Sequence, residues 1–391
     1  MLKSKKIRLK PTPEQEVLFW KSAGVARWAY NYFLSENKKI YAVYQANGNS
    51  GVKYLSGSTI RKRITTLKHT ECAWLAEVSC NVAKQAVKDA ELAFKSWLSG
   101  KRGKPKYRTR DSGKIGFYVN YESLIRTNGG FRGERIGIVK TTESLPKIPN
   151  GTKYSNPRIS YDGRFWYISV GYPISEEHID LTDVSLGIDL GIKSLAVCSN
   201  GNVYKNINKT AKMKKLNKRL AREQRRLSKK LENNTLYYDA RRKPIYKIPL
   251  SECSNIQKQK NRIQCIHKRI KNIRMNYLHQ TTTNIIKTRP YRIVMESLNI
   301  RGMMKNKHLS KSIQSQGFFE FKRQITYKCE YYGIEFVSVP RNYPSSKTCS
   351  CCGHVKTDLR LSDRVYTCNM CGLVLDRDLN ASINLANYKL A

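Results

Sequence analysis

The chain has 391 residues, with 73 Lys and Arg against 29 Asp and Glu, a formal net charge of +44. So large an excess of one sign indicates a polyanionic partner, whereas 40% hydrophobic and 26% charged residues exclude bulk disorder and are typical of two or three folded domains. No apolar stretch approaches the ~20 residues of a membrane span, and the N-terminal sequence has no apolar signal core. We therefore expect a soluble protein that stays inside the cell and has no membrane partner.

Helices dominate the first 110 residues, after one short predicted strand at residues 5–9. Thr12-Pro13-Glu14-Gln15 places a hydroxyl cap, a first-turn proline and a glutamine that reaches back to the amide of the cap in the order of a helix start. Apolar residues continue to Phe33 at roughly helical spacing, and a second apolar stripe over residues 78–98 predicts another long helix. We interpret both stripes as core.

Glycines, a proline and cations interrupt the helices at residues 100–106, and the apolar pattern then changes from helical to alternating. We place a domain joint here. Short runs rich in Ile, Val, Tyr and Phe follow at residues 115–120, 135–140, 158–161 and 165–172. Asp162-Gly163 between the last two runs predicts a hairpin with a type I′ turn. Four or five antiparallel strands in such a short segment predict a small β-barrel.

A basic segment at residues 205–230 contains twelve Lys and Arg and a single acid, Glu223. Leucines between 216 and 231 lie on one helical face, and isoleucines between 256 and 273 repeat the pattern, so the sequence predicts a hairpin of two antiparallel helices over 205–288. One charge sign prevails on the outer faces, which favours nucleic-acid contact over a merely solvated surface. The candidate contact residues are Lys214, Lys215, Arg219, Arg222 and Arg226.

Five of the eleven cysteines fall within residues 349–371. Four of them form two Cys-x2-Cys pairs, each followed by a glycine that allows a tight turn: Cys349, Cys352, Cys368 and Cys371. This spacing predicts one structural Zn²⁺ bound by four thiolates, with no open position for water. Cys351 lies outside the spacing. We interpret the six scattered cysteines as small hydrophobic residues.

Three acids occupy positions at which local sequence pattern suggests a catalytic site. Asp189 and Glu296 each end an apolar, strand-like run, and Asp378 begins a C-terminal helix just after the cysteines. Any one of them alone could instead neutralise a neighbouring Lys or Arg. Together, three carboxylates suit Mg²⁺, and two such ions held by shared carboxylates promote phosphodiester hydrolysis. The sequence has no HExxH, P-loop or GxSxG motif that would offer a competing catalytic set.

These motifs resemble those of TnpB, the OrfB protein of bacterial insertion sequences. The resemblance rests on GIDLG at 187–191, MESLN at 295–299, the Cys-x2-Cys pairs after YPSSKT at 343–348, and DRDLNA at 376–381. Upstream, residues 11–15 and 103–108 are similar to N-terminal landmarks of the family, so nearly the whole chain is covered. Each motif is weak alone, but their conjunction is specific.

The resemblance implies an α/β multidomain fold. Residues 1–10 would form the first strand of a wedge domain, 11–112 a helical recognition domain and 113–178 the antiparallel β-barrel of the wedge. Residues 179–391 would form a split RNase H-like (RuvC) nuclease domain, which contains the basic hairpin at 205–288 and a four-cysteine zinc module at 345–374.

In function, the resemblance implies an RNA-guided DNA endonuclease of a transposable element, related to compact type V CRISPR effectors and to Fanzor proteins. Its partners would be a guide RNA and target double-stranded DNA, bound by a protein monomer. The protein would be cytoplasmic and associated with the nucleoid, in a bacterial or archaeal host. Asp189, Glu296 and Asp378 would bind two Mg²⁺ ions in the RuvC centre. Candidates for reading a short motif beside the target are Asn81, Lys84 and Gln85.

Two other functions stay open. A nuclease-inactive, RNA-guided repressor would occlude promoters, but the complete set of acids argues against it. A transposase that acts directly on element ends would use the same fold and ions, although the basic hairpin and the barrel fit a protein that holds RNA better.

Overall fold

The computed structural model describes residues 1–47, 53–109, 115–177, 179–360 and 363–389. The chain forms two compact units, Met1–Ile174 and Ser175–Ala391. The sequence places the corresponding boundary a few residues later, after 178. Across the described residues, no helix combines the length and apolar character that a bilayer span requires.

The described part of the first unit combines helices with a seven-stranded sheet. The helices are α1 (Pro13–Asn47), α2 (Gly57–His69) and α3 (Cys80–Leu98), with a 3₁₀ turn at Ala73–Glu77. The strands are β1 (Leu2–Lys10), β2 (Gly116–Tyr118), β3 (Ile125–Thr127), β4 (Gly130–Gly133), β5 (Gly137–Thr141), β6 (Ser155–Tyr161) and β7 (Trp166–Pro173). They pair antiparallel in the order β2-β6-β7-β1-β5-β4-β3. Because β2 and β3 stand at the two ends of this order, closure into a barrel stays a prediction.

The start of α1 follows the sequence signal. The Thr12 amide donates to Gln15 Oε1 at 3.1 Å, and the Gln15 amide donates to Thr12 Oγ1 at 3.3 Å. This reciprocal pair is a capping box, which satisfies two amides that the helix itself leaves unpaired.

The predicted hairpin between β6 and β7 forms, but its turn is not type I′. Tyr161 lies opposite Trp166 in the register. Gly163 has a φ of +94°, whereas Asp162 is not among the residues with positive φ that a type I′ turn requires at both central positions. Instead, Asp162 Oδ1 accepts hydrogen bonds from the amides of Arg164 and Phe165, both at 3.1 Å. The aspartate side chain therefore stabilises a longer loop.

One hydrophobic core serves both the helices and the sheet of the first unit. Phe19 of α1 packs edge-on against Trp166 of β7, with ring centroids 5.2 Å apart, and both side chains are buried. Val87 of α3 and Ile168 of β7 belong to the same cluster. The segments predicted as a helical domain and a barrel thus pack around shared apolar residues.

The second unit is built on a five-stranded sheet, described here with its surrounding elements. In chain order they are β8 (Thr182–Leu190), β9 (Ser194–Cys198), β10 (Val203–Lys205), α4 (Ala211–Asn233), β11 (Thr235–Tyr238), β12 (Pro244–Tyr246), α5 (Ser254–Ile286), β13 (Pro290–Glu296), α6 (Ile300–Met303), α7 (Ser310–Gln316), α8 (Phe318–Tyr332), β14 (Glu335–Val339), β15 (Val365–Thr367), β16 (Val374–Asp376) and α9 (Arg377–Ala386). The sheet order is β10-β9-β8-β13-β14. Strands β8, β13 and β14 run parallel, whereas β9 and β10 complete an antiparallel edge.

Helices cover both faces of this sheet. Ile293 and Met295 of β13 pack in a cluster with residues of α5 and α8. Val294, which points to the opposite face because strand side chains alternate, packs with Leu385 of α9. The C-terminal helix is therefore part of the fold's core.

The basic hairpin forms from α4 and α5, which pack antiparallel. Met213 and Leu216 of α4 contact Ile266 and Ile270 of α5. The single acid of the basic segment, Glu223, is 5% exposed and accepts a 2.8 Å hydrogen bond from Gln259 Nε2 at its carboxylate. The exposed face of this segment is consequently even more uniformly cationic than the sequence suggests.

The scattered cysteines follow the expectation only in part. Cys198 and Cys329 are buried, and burial raises the pKa of each thiol to about 12. Cys80 is exposed, so its interpretation as a core residue was wrong. It occupies the first position of α3, ahead of Val82, the first buried residue of the helix.

Candidate carboxylate site and cysteine cluster

Two of the predicted acids lie at the ends of neighbouring parallel strands. Asp189 is the penultimate residue of β8, and Glu296 is the last residue of β13. The strands are in register with Met295 opposite Ile188. The next residue of each strand is an acid, so the pairing brings both acids to the same edge of the sheet.

Helix α9 supplies Asp378 and approaches β8 very closely. A Cβ atom at Gly187 would overlap the Ser382 carbonyl oxygen and would lie 2.5 Å from the Ala386 amide nitrogen. Only glycine fits here. The far end of the helix is fixed as well, because Ser185 Oγ and Arg292 Nη2 donate to the Ala386 carbonyl at 2.7 and 3.0 Å.

The start of α9 is capped by Asp376, the acid that the sequence motif did not assign to the site. Its Oδ1 accepts hydrogen bonds from the amides of Asp378 and Leu379, at 3.0 and 3.1 Å. An aspartate at the N-cap stabilises the helix and fixes its first turn. Asp376 thus positions the backbone that carries Asp378.

The electrostatics link the three acids. Burial, followed by the negative charges of Asp378 and Glu296, raises the pKa of Asp189 to about 7, against the opposing influence of Arg377. Burial also raises the pKa of Glu296. Arg377 Nη2 lies 3.6 Å from Asp378 Oδ1, with both side chains less than one-fifth exposed. The structure therefore brings three acids into electrostatic contact beside one guanidinium.

The donor set fits hard cations. Carboxylate oxygens are the ligands of Mg²⁺, and the excess negative charge that raises the pKa of Asp189 is what a divalent cation would neutralise. Among the described residues, these acids do not form a group with oxygens all within 4.8 Å. Two ligands of one Mg²⁺, each at ~2.1 Å, are at most about 4.2 Å apart. As placed here, the three acids therefore do not all bind a single ion directly.

Four cysteines form a separate cluster. The ligand atoms of Cys349, Cys352, Cys368 and Cys371 all lie within 4.8 Å of one another. The Sγ atoms of Cys349 and Cys371 are 3.6 Å apart, as are those of Cys352 and Cys368. Four thiolates at ~2.3 Å from a tetrahedral Zn²⁺ would be about 3.8 Å apart. The cluster could therefore hold zinc, and Cys351 stands outside it as predicted.

The backbone around these cysteines prepares them for a metal. Gly353 and Gly372, each of which follows a Cys-x2-Cys pair, have φ values of +76° and +72°. Backbone amides of Cys371 and Met370 lower the pKa of the Cys368 thiol to about 6, whereas burial and the neighbouring thiols raise the pKa of Cys371 to about 12. A thiol with a lowered pKa is more readily the thiolate that binds metal.

Two asparagines that the sequence analysis did not single out join α9 to the cysteine cluster. Asn380 is fully buried; its Nδ2 donates to the Thr348 carbonyl at 2.7 Å, and its Oδ1 accepts from the Ser350 amide at 2.9 Å. Asn384 Nδ2 donates to the carbonyls of Thr348 and Ser345, at 2.6 and 2.8 Å. Their i, i+4 spacing on one helical face is the sequence signal that could have revealed them.

The predicted nucleic-acid contacts occupy different environments. On α4, all five candidates are exposed: Lys214, Lys215, Arg219, Arg222 and Arg226. On α3, Lys84 is exposed, whereas Asn81 Nδ2 donates to Glu134 Oε2 at 2.9 Å and Gln85 Nε2 donates to Asp89 Oδ1 at 3.0 Å. Both amides already have intramolecular acceptors, which leaves Lys84 as the freely presented side chain of the three.

Three family models match the chain. Residues 176–307 match the OrfB_IS605 model, described as "probable transposase", and residues 1–45 match the helix-turn-helix domain of the same family. Residues 318–385 match the "Cas12f1-like, TNB domain". Curated relatives include a "putative RNA-guided DNA endonuclease" of Streptomyces pristinaespiralis, 29% identical over 99% of this chain and 89% of the relative. InsQ of Escherichia coli K12, with the same description, is 28% identical over 98% and 91%.

The chain belongs to the TnpB (OrfB) family of IS605-type elements. Its fold is also similar to that of a solved chain in a Cas12f1–sgRNA–target DNA complex, with a TM-score of 0.57, 16% identity and 99% coverage of both chains. One family label does not describe this member. Residues 1–45 form β1 and part of the single helix α1, so they contain no helix-turn-helix.

Proposed function

We propose that the chain is an RNA-guided, Mg²⁺-dependent DNA endonuclease of a transposable element. It would cut DNA that pairs with a bound guide RNA, next to a short motif read by the protein. The observation that carries the proposal is the electrostatic coupling of Asp189, Glu296 and Asp378, three acids contributed by separate segments of the second unit.

The three acids would bind the metal ions, and Arg377 would position one of the acids. Asp189, Glu296 and Asp378 would hold the cations, whose charge would offset the mutual repulsion that these acids exert. Mg²⁺ bound there would supply charge stabilisation at the phosphate and lower the pKa of a water molecule. Arg377, beside Asp378, would help to orient that carboxylate. On this proposal, the three acids would form the acid centre of a RuvC-type, RNase H-like nuclease.

The charge of the chain supports a nucleic-acid partner of considerable size. The net charge is +44, and the five candidate residues of α4 are all exposed. Two curated relatives that cover nearly the whole chain carry the name "putative RNA-guided DNA endonuclease". In such systems base pairing reads the sequence, which would explain how a chain without a helix-turn-helix at residues 1–45 selects its target.

The remaining parts of the chain would support that reaction. Four thiolates would hold one structural Zn²⁺, tied to α9 by Asn380 and Asn384. The helices of the first unit would form the recognition domain, and its sheet the wedge domain. We further propose a bacterial or archaeal host and a monomer in complex with RNA.

Substitution of Asp189 tests the proposal. The full chain, expressed with its native element and purified with the co-purifying RNA, is assayed on plasmid DNA that contains sequences matching that RNA. Asp189→Ala should abolish cleavage and retain the RNA, whereas Asp183→Ala, an exposed acid on the same strand, should cut like the wild type. Cleavage at the wild-type rate by Asp189→Ala would contradict the assigned site. Target binding without cleavage by the wild type would favour the repressor.

A transposase is the second candidate, because the family model over residues 176–307 carries the description "probable transposase". The same acids would then act on element ends without a guide. A strand-transfer assay with labelled element ends decides between the two. Joined products in the absence of RNA would favour the transposase, and RNA-dependent cleavage without joining would favour the endonuclease.

A further inference from the structure

The first unit contains a cavity of about 250 Å³ that the proposed cleavage reaction does not use. We call it the aromatic pocket. Leu34 and Phe94 contribute apolar side chains to its lining. Three aromatic residues and three lysines supply the ring faces and the positive charge of its lining: Tyr41, Trp97, Tyr107, Lys38, Lys104 and Lys106.

The backbone that frames the aromatic pocket is held in place by hydrogen bonds within the first unit. Its residues come from α1, from the end of α3 and from the segment that follows α3. That segment is anchored at both ends: the Arg102 amide donates to the Ser96 carbonyl at 3.0 Å, and the backbone of Arg108 exchanges two 2.8 Å hydrogen bonds with the Asn31 side chain. A preformed pocket binds its ligand without the cost of ordering its walls.

The aromatic rings already attract cations. Tyr41 and Trp97 meet edge to face, with centroids 5.0 Å apart, and Lys104 Nζ lies 4.6 and 5.1 Å from them. Lys38 Nζ lies 5.6 Å from the Tyr107 centroid. The lysine side chains are long and flexible, so their ammonium groups can leave the ring faces for a nearby anion.

The charge of the lining selects the class of ligand. Its charged residues are all lysines, and no acid is among the described residues that line it. A ligand with a flat, weakly polar ring and a phosphate satisfies both the aromatic and the cationic side chains. A base in a stacked duplex does not expose its ring faces, but an unpaired base does.

We propose that the aromatic pocket binds one unstacked base of a nucleic-acid strand, with Lys38, Lys104 and Lys106 at the adjoining phosphates. The proposal rests on the nucleic-acid binding in the proposed function but not on cleavage. It adds a contact that the carboxylate site does not require. The bound base would belong either to the guide RNA or to an unpaired DNA strand.

The test compares strands with and without bases. Fluorescein-labelled pentamers rA5 and dA5, and an abasic pentamer with the same phosphates, are titrated into the full chain without Mg²⁺ and followed by anisotropy. Base stacking on aromatic side chains should make the wild type bind at least one of the A5 strands roughly 5-fold to 150-fold more tightly than the abasic strand. A preference for rA5 identifies RNA as the source of the base, and a preference for dA5 identifies DNA.

Two variants and one control locate the effect. Tyr107→Ala, at a residue that is 44% exposed, should reduce the preference for bases at least 3-fold and leave binding of the abasic pentamer unchanged. Lys104→Gln should weaken binding of both kinds of strand. Tyr121→Ala removes a similarly accessible tyrosine between β2 and β3, 40% exposed, and should change neither.

Equal binding of A5 and abasic strands by the wild type would overturn the proposal. So would a base preference that Tyr107→Ala and Tyr41→Leu both leave intact. In either case the proposed function stands as long as the chain binds long RNA. A chain that binds no nucleic acid at all would overturn both.

Discussion

Asp189 lies in surroundings that oppose its own charge. Its pKa is raised to about 7 by burial and by two neighbouring acids, whereas an aspartate in an unfolded chain titrates near 3.9. The folded state therefore binds this proton more tightly than the unfolded state. Stability is lost as the pH rises from about 4 to about 7, and a divalent cation would restore it.

We expect Asp189→Asn to stabilise the metal-free protein at pH 8. The neutral amide removes the charge that the site repels, a gain of up to about 4 kcal/mol at a shift of this size. Thermal unfolding with a chelator at pH 8 and at pH 4 measures the effect. The midpoint of the variant should be higher at pH 8 and equal to that of the wild type near pH 4.

The matched control is Asp183→Asn, an exposed carboxylate on the same strand, which should shift the midpoint little at either pH. Mg²⁺ should raise the midpoint of the wild type more than that of Asp189→Asn. An Asp189→Asn variant that is less stable than the wild type at pH 8 would show that the carboxylate is favourably paired.

For individual residues, the sequence indicates which side chains are candidates for a site but does not reveal all of the hydrogen-bond partners that those side chains have in the fold. Asp189 and Glu296 are visible because each is a lone charge at the end of an apolar run. Their assignment as metal ligands stays a prediction. Asn81 and Gln85 look available on a helical face, but Glu134 and Asp89 occupy their amides. The Asn81–Glu134 pair joins segments that are remote in sequence, which local pattern cannot reveal. The Gln85–Asp89 pair is an i, i+4 contact within α3, so the sequence itself offered that acceptor.

Among the elements, α9 depends on one glycine. Gly187→Ala would place a Cβ on the backbone of α9, so the helix must move away from β8 and carry Asp378 with it. We expect a loss of roughly 3 kcal/mol in stability and a loss of DNA cleavage greater than the loss of folded protein. Thermal unfolding and cleavage assays on the soluble variant measure the two effects.

Gly24→Ala serves as the comparison, since Gly24 lies within α1 with nothing within 4 Å of the added Cβ. Alanine is favoured in a helix by up to about 1 kcal/mol over glycine, so this variant should be as stable as the wild type or more so. Wild-type cleavage by Gly187→Ala would mean that the placement of α9 does not control the site.

The cysteine cluster makes a second prediction at this scale. Cys352→Ser should remove one ligand and reduce bound zinc from one ion per chain to none after dialysis, with a lower unfolding midpoint because metal binding contributes to folding. Elemental analysis and thermal unfolding check this. Cys351→Ser, an exposed neighbour outside the cluster, should keep the full zinc content. Wild-type protein that is folded and free of zinc would contradict the prediction.

Element by element, periodic and capped segments are the ones that the sequence predicts. The capping box of α1, the helix α3 and the two helices of the basic hairpin all carry such local signals. The short strands β3, β4, β11 and β12 were not predicted, because their few apolar residues set no clear period. Helix α2 was not delimited within the helical first 110 residues, although the Ser56 cap and the spacing of Ile60 and Ile64 carry a helix signal. The order of strands in each sheet follows from long-range packing, and the local pattern does not encode it.

For the whole molecule, the net charge of +44 predicts steep salt dependence. Each phosphate contact contributes a slope of about −0.9 in the logarithm of the affinity for duplex DNA against the logarithm of the salt concentration. Glutamine at the five candidate positions of α4 should reduce the magnitude of this slope by roughly 0.9 for each residue that contacts phosphate. Filter binding from low to moderate salt measures it.

A charge-preserving variant provides the control for this measurement. Exchanging lysine for arginine and arginine for lysine at the same five positions keeps the charge of α4, so the slope should stay at the wild-type value. An unchanged slope in the glutamine variant would place the phosphate contacts elsewhere on the chain.

The position of α9, after β8, the basic hairpin and β13 in the chain, has a consequence for synthesis. A ribosome that has passed Glu296 has already made β8, β13 and the whole basic hairpin, so the growing polypeptide carries much of its positive charge before it carries Asp378. Under the proposed function, a nascent or prematurely terminated product would bind nucleic acid but would lack the Asp378 carboxylate. Competence to break DNA would then arise only once translation has delivered α9.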